Sequence, residues 1–178
     1  MTLTICLIGA VPKGDAERTA WIDWKTAYKK ALAPLGDVMF VDGDVWRDET
    51  KSDLLFGHDA SVIKQSDIII ANAEEKLGCG TAQEMVIAKY FGKPLFTILP
   101  KDTHHRKTNI MFDGVLHNDW IHPFIRAMSD EIVEDVSDCG TLVRDYQKNH
   151  GKKPIKTIRV IDEAIEQYQK AIHLGSKV

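Results

Sequence analysis

Four short apolar segments, rich in β-branched residues, alternate along the chain with segments whose apolar residues repeat at helical spacing. The predicted strands cover residues 2–10, 37–42, 67–72 and 93–100. The third contains an unbroken isoleucine run, which is typical of a strand covered on both faces, as in a parallel sheet. The alternation predicts an α/β fold of the doubly wound, flavodoxin- or Rossmann-like type, with a mostly parallel sheet of about five strands and helices on both faces.

The helical segments lie between these strands. We expect one helix over residues 15–35, because apolar and small side chains recur there at three- and four-residue steps. Gly36 is placed to close that helix as a C-cap residue. Two further helices are expected over about 53–65 and 81–91.

The pattern changes beyond Pro100, where aromatic residues fit either a core or a subunit interface. A helix is expected over 138–149, followed by a break at 151–154. A stripe of apolar residues then predicts a packing helix: Ile158, Ile161, Ala164, Ile165, Tyr168 and Ile172. The chain is thus predicted to be a single domain over 1–178, with a C-terminal helical extension over about 138–178.

Composition and charge argue against several classes of protein. The 178 residues include 23 Lys and Arg against 26 Asp and Glu, which leaves no basic surface for nucleic acid or an anionic membrane. No apolar run approaches the ~20 residues that span a bilayer, and the first residues lack the basic segment of a signal peptide. The three cysteines show no paired spacing, which indicates a reducing cytoplasm. His104 and His105 suit a surface loop, so no metal and no cofactor is expected.

The turn after the third predicted strand contains Gly78 and Gly80 and precedes Glu84. Ligands bind parallel sheets at the carboxyl ends of the strands, and glycine lets a backbone approach a ligand closely. Three such turns are candidates: 9–14, 42–46 and 73–81. Two interpretations of Glu84 remain open. It completes a capping box with Thr81, and a carboxylate held as an anion near a helix N-terminus also suits a nucleophile.

Several motifs together resemble the nucleoside 2-deoxyribosyltransferase family. They are HDASVIKQSDIIIAN, GCGTAQEMVIAKYFGKPLFTILP and TNIMFDG, which lie within residues 58–114, with a weaker likeness over 5–10. The family has an Asp on the helix before the third strand, a glycine turn followed by a Glu, a small-residue helix that ends in Gly-Lys-Pro, and a later Asn-x-Met segment. These features fall here on Asp59, Gly80, Glu84, 92–94, Asn109 and Met111.

The resemblance implies a covalent glycosyl transfer. Glu84 would attack C1′ of a 2-deoxyribosyl group, Asp59 would contact the base and help to protonate it, and a second base would attack the glycosyl ester, with retention of configuration. Asn109 would reach the site of a neighbouring subunit, which implies a homo-oligomer with shared sites. The implied partners are a small-molecule nucleoside or nucleotide and a free base, with no nucleic acid, membrane or cofactor.

The other candidates for substrate binding have structural alternatives. Gly9 is a candidate backbone contact to the sugar, yet a tight strand-to-helix turn also needs glycine. Trp46 is a candidate to stack on the base or to anchor its loop. Asp59 is also compatible with an exposed helix acid, and Asn109 with a turn.

The sequence departs from the family pattern at the sugar end. The acid usual six positions before the nucleophile is replaced by Gly78, and the aromatic residue often found on the first strand is replaced by Leu7 or Ile8. The lost anion and the presence of Lys13 leave a 5′-phosphorylated substrate open, although the 9–14 loop lacks the Ser and Arg of a typical phosphate pocket. Two alternatives therefore remain: a nucleoside or nucleotide N-glycosidase, and a non-catalytic nucleotide-binding sensor.

Overall fold

The computed structural model describes residues 2–45, 48, 50–149 and 153–173. The strands are β1 (Leu3–Ile8), β2 (Val38–Val41), β3 (Ile68–Asn72), β4 (Leu95–Ile98), β5 (Arg106–Lys107), β6 (Ile110–Phe112), β7 (Val115–His117), β8 (Trp120–Ile121) and β9 (Glu131–Val133). The helices are α1 (Gly14–Ala20), α2 (Trp24–Leu32), α3 (Ser52–Gln65), α4 (Cys79–Tyr90), α5 (Pro123–Met128), α6 (Val136–Lys148) and α7 (Val160–His173).

Five of these strands form one parallel sheet in the order β2-β1-β3-β4-β9. Ile5 of β1 lies beside Ile68 of β3, and Ile8 lies beside Ala71, so the carboxyl ends of these neighbours are aligned. The strand order reverses direction between β1 and β3, which is where doubly wound sheets bind ligands. The predicted doubly wound α/β fold with a sheet of about five strands is confirmed.

Helices cover both faces of the sheet because side chains alternate along each strand. Ile5 and Leu7 of β1 join a cluster with buried residues of α2 and α6, while Cys6 and Ile8 join a cluster with buried residues of α3, α4 and α5. The three isoleucines of β3 are completely buried, so both faces of this strand are covered. Each such side chain contributes about 1.5–3 kcal/mol to folding through its removal from water.

The prediction of one helix over 15–35 is wrong. The chain forms α1, leaves helical geometry at Trp21, and begins α2 after Asp23, whose side chain accepts a hydrogen bond from the Lys25 amide. Trp24 Nε1 also donates to the Ala10 carbonyl at 2.8 Å, which fixes the start of α2 against the end of β1. Helical spacing continues across the break, so periodicity alone does not locate it; the N-cap aspartate was the available signal.

The segment after Pro100 contains four of the short strands, which pair as two antiparallel ladders, β5–β8 and β6–β7. The β6–β7 hairpin turns at Asp113 and Gly114, whose φ values are +48° and +78°. An Asp-Gly pair between apolar residues is a strong hairpin signal that the sequence interpretation did not use. The hairpin exposes four large apolar side chains: Met111, Phe112, Val115 and Leu116.

The two C-terminal helices differ in how they pack. Cys139 and Val143 bury α6 against the sheet, as in a core helix. By contrast, α7 has no buried residue, and the stripe that predicted a packing helix is half buried at Ile158 and exposed from Ile161 onward. The expected helix is present, but among the described residues its apolar side chains other than Val160 join neither core cluster. Among the described residues, no helix combines the length and apolar character needed to cross a membrane.

Candidate active site

A cavity of about 470 Å³ opens at the carboxyl edge of β1, β2 and β3. The three predicted turns form its walls: residues from Gly9 to Lys13 follow β1, Asp42 to Asp44 follow β2, and Lys76 to Thr81 precede and begin α4. The site therefore lies at the strand-order reversal that a parallel sheet provides. Gly9, Gly78, Gly80, Asp59 and Glu84 all line it, which brings together five of the predicted site residues.

The capping-box interpretation of Glu84 is wrong. Helix α4 begins at Cys79, with Gly78 as its N-cap residue and no side-chain cap hydrogen bond. Thr81 is buried in the first turn rather than at the cap, and Glu84 falls in the second turn. A cap glutamate must reach back to an amide at the helix end, which a residue one turn deeper does not do. Glu84 is left facing the cavity.

Glu84 is a half-buried carboxylate without a local partner. No donor within residues 2–45, 48, 50–149 and 153–173 makes a hydrogen bond to it. Burial and, to a lesser extent, the negative charge of Asp59 raise the pKa of Glu84 to about 7, against the opposing effect of the positive charges of Lys25 and Lys13. Near neutral pH this side chain therefore exchanges between a neutral acid and a carboxylate, which is the range that suits a group in catalysis.

Asp59 lies on α3 and is half buried beside the same cavity. Its Oδ1 lies 3.2 Å from His58 Nδ1, and a Cβ added to Gly43 would come within 3.0 Å of that oxygen. Burial raises the pKa of Asp59, with the charge of Asp44 acting in the same direction and His58 opposing it. Two carboxyl groups with raised pKa values thus share one pocket and couple electrostatically.

Packing alone is enough to require glycine at position 9. A Cβ at this position would come within 2.6 Å of a ring carbon of Trp24 and within 3.0 Å of the Asn72 Cβ. Those neighbours are a rigid indole and a strand residue, so a larger residue at position 9 would displace α2 from the sheet. Gly9 also lines the cavity, so a backbone contact with ligand remains an expectation beside this packing role.

Two predicted site residues, Asn109 and Met111, are not brought to this cavity. Asn109 and Met111 lie at the start of the β6–β7 hairpin, where both are exposed, and neither lines the cavity of its own chain. Asn109 has a φ of +53°, which supports its role as a turn residue. Trp46 lies outside the described residues. The expected contact of Asn109 with a neighbouring subunit stays a prediction.

A charged network that sequence reasoning missed supports one wall of the cavity. Arg18 of α1 donates two hydrogen bonds to Asp44, at 2.9 and 2.7 Å, and the buried Lys25 of α2 donates to Asp42 at 2.7 Å. Paired charges at this depth cost less than isolated ones, and they hold α1 and α2 against the turn after β2. The sequence separates these residues by up to 26 positions, so only the fold reveals the pairs.

Phe56 is another residue that the sequence interpretation missed. It precedes Asp59 by three positions on α3, so both side chains lie on one side of the helix. It lines the cavity and remains 60% exposed. An aromatic side chain that is open to solvent at a pocket mouth is available to stack on a planar ligand. The i, i+3 spacing of an aromatic residue and an acid was the signal.

The sequence interpretation also missed His105. It placed both His104 and His105 in a surface loop, but only His104 is exposed. His105 is half buried, and its Nε2 accepts a hydrogen bond from the Leu77 amide at 2.9 Å. Its Nδ1 must then carry the proton, and that nitrogen is buried with no hydrogen-bond partner among the described residues. Burial lowers the pKa of His105, as do His104, His122 and Lys76. His105 thereby fixes the turn that leads into Gly78.

The described part of the chain contains no group of three or more His, Cys, Asp or Glu side chains arranged to hold a metal ion. The cavity walls instead carry four basic side chains and four acidic ones. They are Lys13, Arg18, Lys25, Lys76, Asp42, Asp44, Asp59 and Glu84. The balance makes the pocket polar without a strong net field.

Comparison with known proteins gives a fold but no sequence relative. Neither protein-family models nor curated protein sequences match the chain. A solved CMP N-glycosidase, BcmB of Clostridium botulinum, aligns with a TM-score of 0.44 and 16% identity over 79% of this chain and 97% of its own. A solved 2-deoxyribosyltransferase from the psychrotolerant Bacillus psychrosaccharolyticus aligns with a TM-score of 0.50 and 19% identity, over 86% of this chain and 98% of its own. The chain therefore has the doubly wound fold of this 2-deoxyribosyltransferase.

Proposed function

We propose that this protein transfers a 2-deoxyribosyl group between nucleobases, with Glu84 as the nucleophile, and that it belongs to the nucleoside 2-deoxyribosyltransferase family. The observation that carries the proposal is the half-buried Glu84 carboxylate, which no described residue hydrogen-bonds and which faces a cavity of about 470 Å³ beside a second carboxyl group. A carboxyl group with a purely structural role is normally ion-paired, hydrogen-bonded or hydrated. An unpaired carboxyl group in a pocket therefore fits a catalytic role better. The shared fold with a 2-deoxyribosyltransferase is consistent with this assignment.

The first half-reaction forms an ester. A Glu84 oxygen attacks C1′ as the bond from C1′ to the base nitrogen breaks, and the electron pair of that bond leaves with the base. Positive charge develops on the sugar in an oxocarbenium-like transition state, which the adjacent carboxylate stabilises. The base takes up a proton as it leaves, because a neutral base is a better leaving group than an anion.

Asp59 and Phe56 are proposed to hold the base. Asp59 shares the cavity with Glu84, and it would contact the base and help to transfer a proton to it; burial raises the pKa of Asp59, which favours such a role. Phe56 lies one turn earlier on α3 and would stack on the ring. Together they place the leaving nitrogen next to a proton donor while the sugar lies toward Glu84.

The second half-reaction reverses the first with a different base. An acceptor nitrogen attacks C1′ from the side that the first base left and loses its proton by way of Asp59, the ester bond to Glu84 breaks, and the carboxylate is regenerated. Two displacements at one carbon give net retention. The β6–β7 hairpin is proposed to bring Asn109 and Met111 to the site of a second copy, since neither lies at the cavity of its own chain.

The test is an exchange assay with a mass measurement. One deoxynucleoside and a different free base are incubated with the protein, and a new deoxynucleoside is the expected product. Intact-protein mass spectra taken after mixing with deoxynucleoside should show one 2-deoxyribosyl adduct, which Glu84→Gln lacks. Base exchange without any adduct, in rapidly quenched samples, contradicts the covalent route.

A second candidate is hydrolysis of a nucleoside 5′-monophosphate. It is supported by Gly78 in place of an acid and by Lys13 and Lys76, which lie on two of the turns that line the cavity. Arg18, from outside the 9–14 loop, also lines the cavity, although it is paired with Asp44. Here water would replace the acceptor base in the second half-reaction, and a sugar 5-phosphate would be released.

Parallel assays distinguish these functions. Deoxynucleosides, ribonucleosides and their 5′-monophosphates are each offered with and without a free base. Exchange only with unphosphorylated deoxynucleosides supports transfer, whereas base release from monophosphates without exchange supports the hydrolase. Binding of nucleotides without cleavage of any substrate supports the sensor, in which Glu84 has no chemical part.

A further inference from the structure

Helix α7 stands apart from the rest of the molecule. Its 14 residues include none that is buried. Four large apolar side chains remain open to solvent: Ile161 at 41%, Ile165 at 49%, Tyr168 at 54% and Ile172 at 46%. Single exposed apolar residues are common, but a continuous stripe along one helix indicates a contact surface.

Among the described residues, the contacts that fix α7 to the body of the protein lie at its start. The Ile158 amide donates to the Lys89 carbonyl at 3.1 Å, and Val160 packs against one of the two core clusters. An unsupported helix of about this length is marginal in water, because its stability comes mainly from packing of its apolar face. The helix therefore needs a partner surface that the described residues of the same chain do not supply.

The spacing of the stripe identifies the kind of partner. Ile161, Ile165, Tyr168 and Ile172 follow steps of four, three and four residues, which is the a/d seam of a heptad repeat. Ala164 and Ala171 flank the seam seven positions apart and leave room for another helix to approach. We propose that α7 pairs in antiparallel orientation with the α7 of a second copy of this chain.

The seam is complementary to itself in that orientation. Its spacing is symmetrical about the midpoint between Ile165 and Tyr168, so a two-fold axis there places Ile165 opposite the partner's Tyr168. The same axis places Ile161 opposite the partner's Ile172. Each apolar side chain then meets another, which is the requirement of an isologous interface.

The charges favour antiparallel over parallel pairing. Asp162, Glu163 and Glu166 lie in the first half of α7, and Lys170 lies in the second half. Antiparallel pairing brings the acidic half of one helix near the basic end of the other and opposes the two helix dipoles. Parallel pairing would bring acid near acid. Because the seam has only four large residues a side, association is expected to depend on concentration.

The test is the mass of the full chain in solution, by sedimentation velocity from micromolar to near-millimolar concentration. The protein should associate, and Ile165→Asp/Tyr168→Asp should lose at least half of the subunits of the wild-type assembly. Gln167→Asp adds a charge on the opposite side of α7 and should leave the mass unchanged. Far-UV circular dichroism confirms that each variant is folded. A monomeric wild-type chain, or an unchanged mass for the double variant, overturns the proposal.

Cross-linking checks the orientation. In a Cys79→Ser background, which removes the exposed thiol, Ile165→Cys chains are mixed with Tyr168→Cys chains and oxidised. The antiparallel seam predicts a mixed disulfide between the two kinds of chain, whereas Ile165→Cys chains that link mainly to each other indicate parallel pairing and contradict the proposal. Neither result depends on turnover, so the pairing of α7 and the enzymatic function are tested separately.

Discussion

Helix α4 carries two charged side chains only five positions apart that the fold treats in opposite ways. Glu84 faces the cavity at the carboxyl edge of the sheet and has no hydrogen-bond donor among the described residues. Lys89 is fully buried and ion-paired with Asp130, and its Nζ also donates to the Lys93 carbonyl at 2.9 Å. The Glu84 carboxyl group thus lies at the cavity without a hydrogen-bond donor among the described residues, whereas the Lys89 ammonium group is surrounded by its partners.

The partners of Lys89 tie distant segments together. Asp130 also accepts hydrogen bonds from the amides of Leu95 and Lys156, at 2.7 and 2.6 Å. The Lys156 ammonium in turn donates to the carbonyls of Arg126 and Ser129. This hub joins α4, the start of β4 and the segment that leads to α7. Burial lowers the pKa of Lys89, although the hydrogen bond and charge of Asp130 oppose that change.

The comparison teaches how to separate a structural charge from a reactive one. A buried charge with several partners stabilises the fold only as part of its network, and removal of one member leaves the others unpaired. A half-buried charge without partners lowers the free energy of unfolding, so its presence in the protein suggests a catalytic role. The following variants break or sharpen this distinction.

The largest effect is expected for Glu84→Gln. Loss of the nucleophile should reduce turnover about 10⁴-fold or more, measured by base exchange. The variant should also unfold at a higher temperature than wild type at pH 8. Since the pKa of Glu84 is raised from 4.5 to about 7, the folded state loses stability as the pH rises across that interval, and the full cost is present at pH 8.

The stability gain should vanish near pH 4, where Glu84 is protonated in both the folded and the unfolded chain. Glu75→Gln changes an exposed acid in the neighbouring turn and serves as the matched control, with wild-type turnover expected. Full activity of Glu84→Gln would falsify the catalytic assignment.

The next effect is on folding rather than turnover. Lys89→Met leaves Asp130 without its buried cation and should lower the free energy of unfolding by about 3 kcal/mol. Lys153→Met is the matched control, because Lys153 forms an exposed ion pair with Glu131, the residue that follows Asp130. Loss of that pair should lower the free energy of unfolding by less than about 1 kcal/mol. Urea unfolding curves measure both. Equal losses for the two variants would contradict the structural role of the hub.

A smaller effect is expected for Phe56→Ala. Loss of a stacking surface should reduce kcat/KM about 10-fold, mainly through a higher KM. Leu54→Ala is the control, since Leu54 is similarly exposed on α3 but does not line the cavity. Phe56→Trp should keep activity, and its fluorescence should be quenched by a free base. An unchanged KM for Phe56→Ala removes Phe56 from the base site.

The smallest effect is a shift in pH dependence. Transfer needs ionised Glu84, so kcat/KM of the wild type should rise with pH through a midpoint of about 7. Asp59→Asn removes a negative neighbour and should move that midpoint to lower pH, whatever it does to the rate itself. A midpoint that does not move indicates that the two carboxyl groups are not coupled in solution.

The sequence predicted the sheet because each strand carries its own signal. The isoleucines of β3 and the apolar run of β1 are local features, and the glycine-proline ending of α4 corresponds to Gly92 at a φ of +63°. The alternation of these segments limits the topology to a parallel sheet with helices on both faces. The turns at the carboxyl ends of the strands, and with them the position of Glu84, followed from that topology, whereas Asp59 followed only from the resemblance to the family.

Other features depended on contacts between distant residues, and sequence patterns do not report these. The local pattern of Thr81 and Glu84 predicted a cap, yet α4 begins two residues earlier and directs Glu84 into the cavity. Likewise, nothing in the sequence pairs Arg18 with Asp44 or Lys89 with Asp130. Periodicity predicted that α7 is a helix, but only the tertiary structure decided that its apolar face lies outside the core. The physical reason is common to all: hydrophobic periodicity sets which face of an element is buried, whereas the depth, partners and pKa of one charge depend on what the rest of the fold places around it.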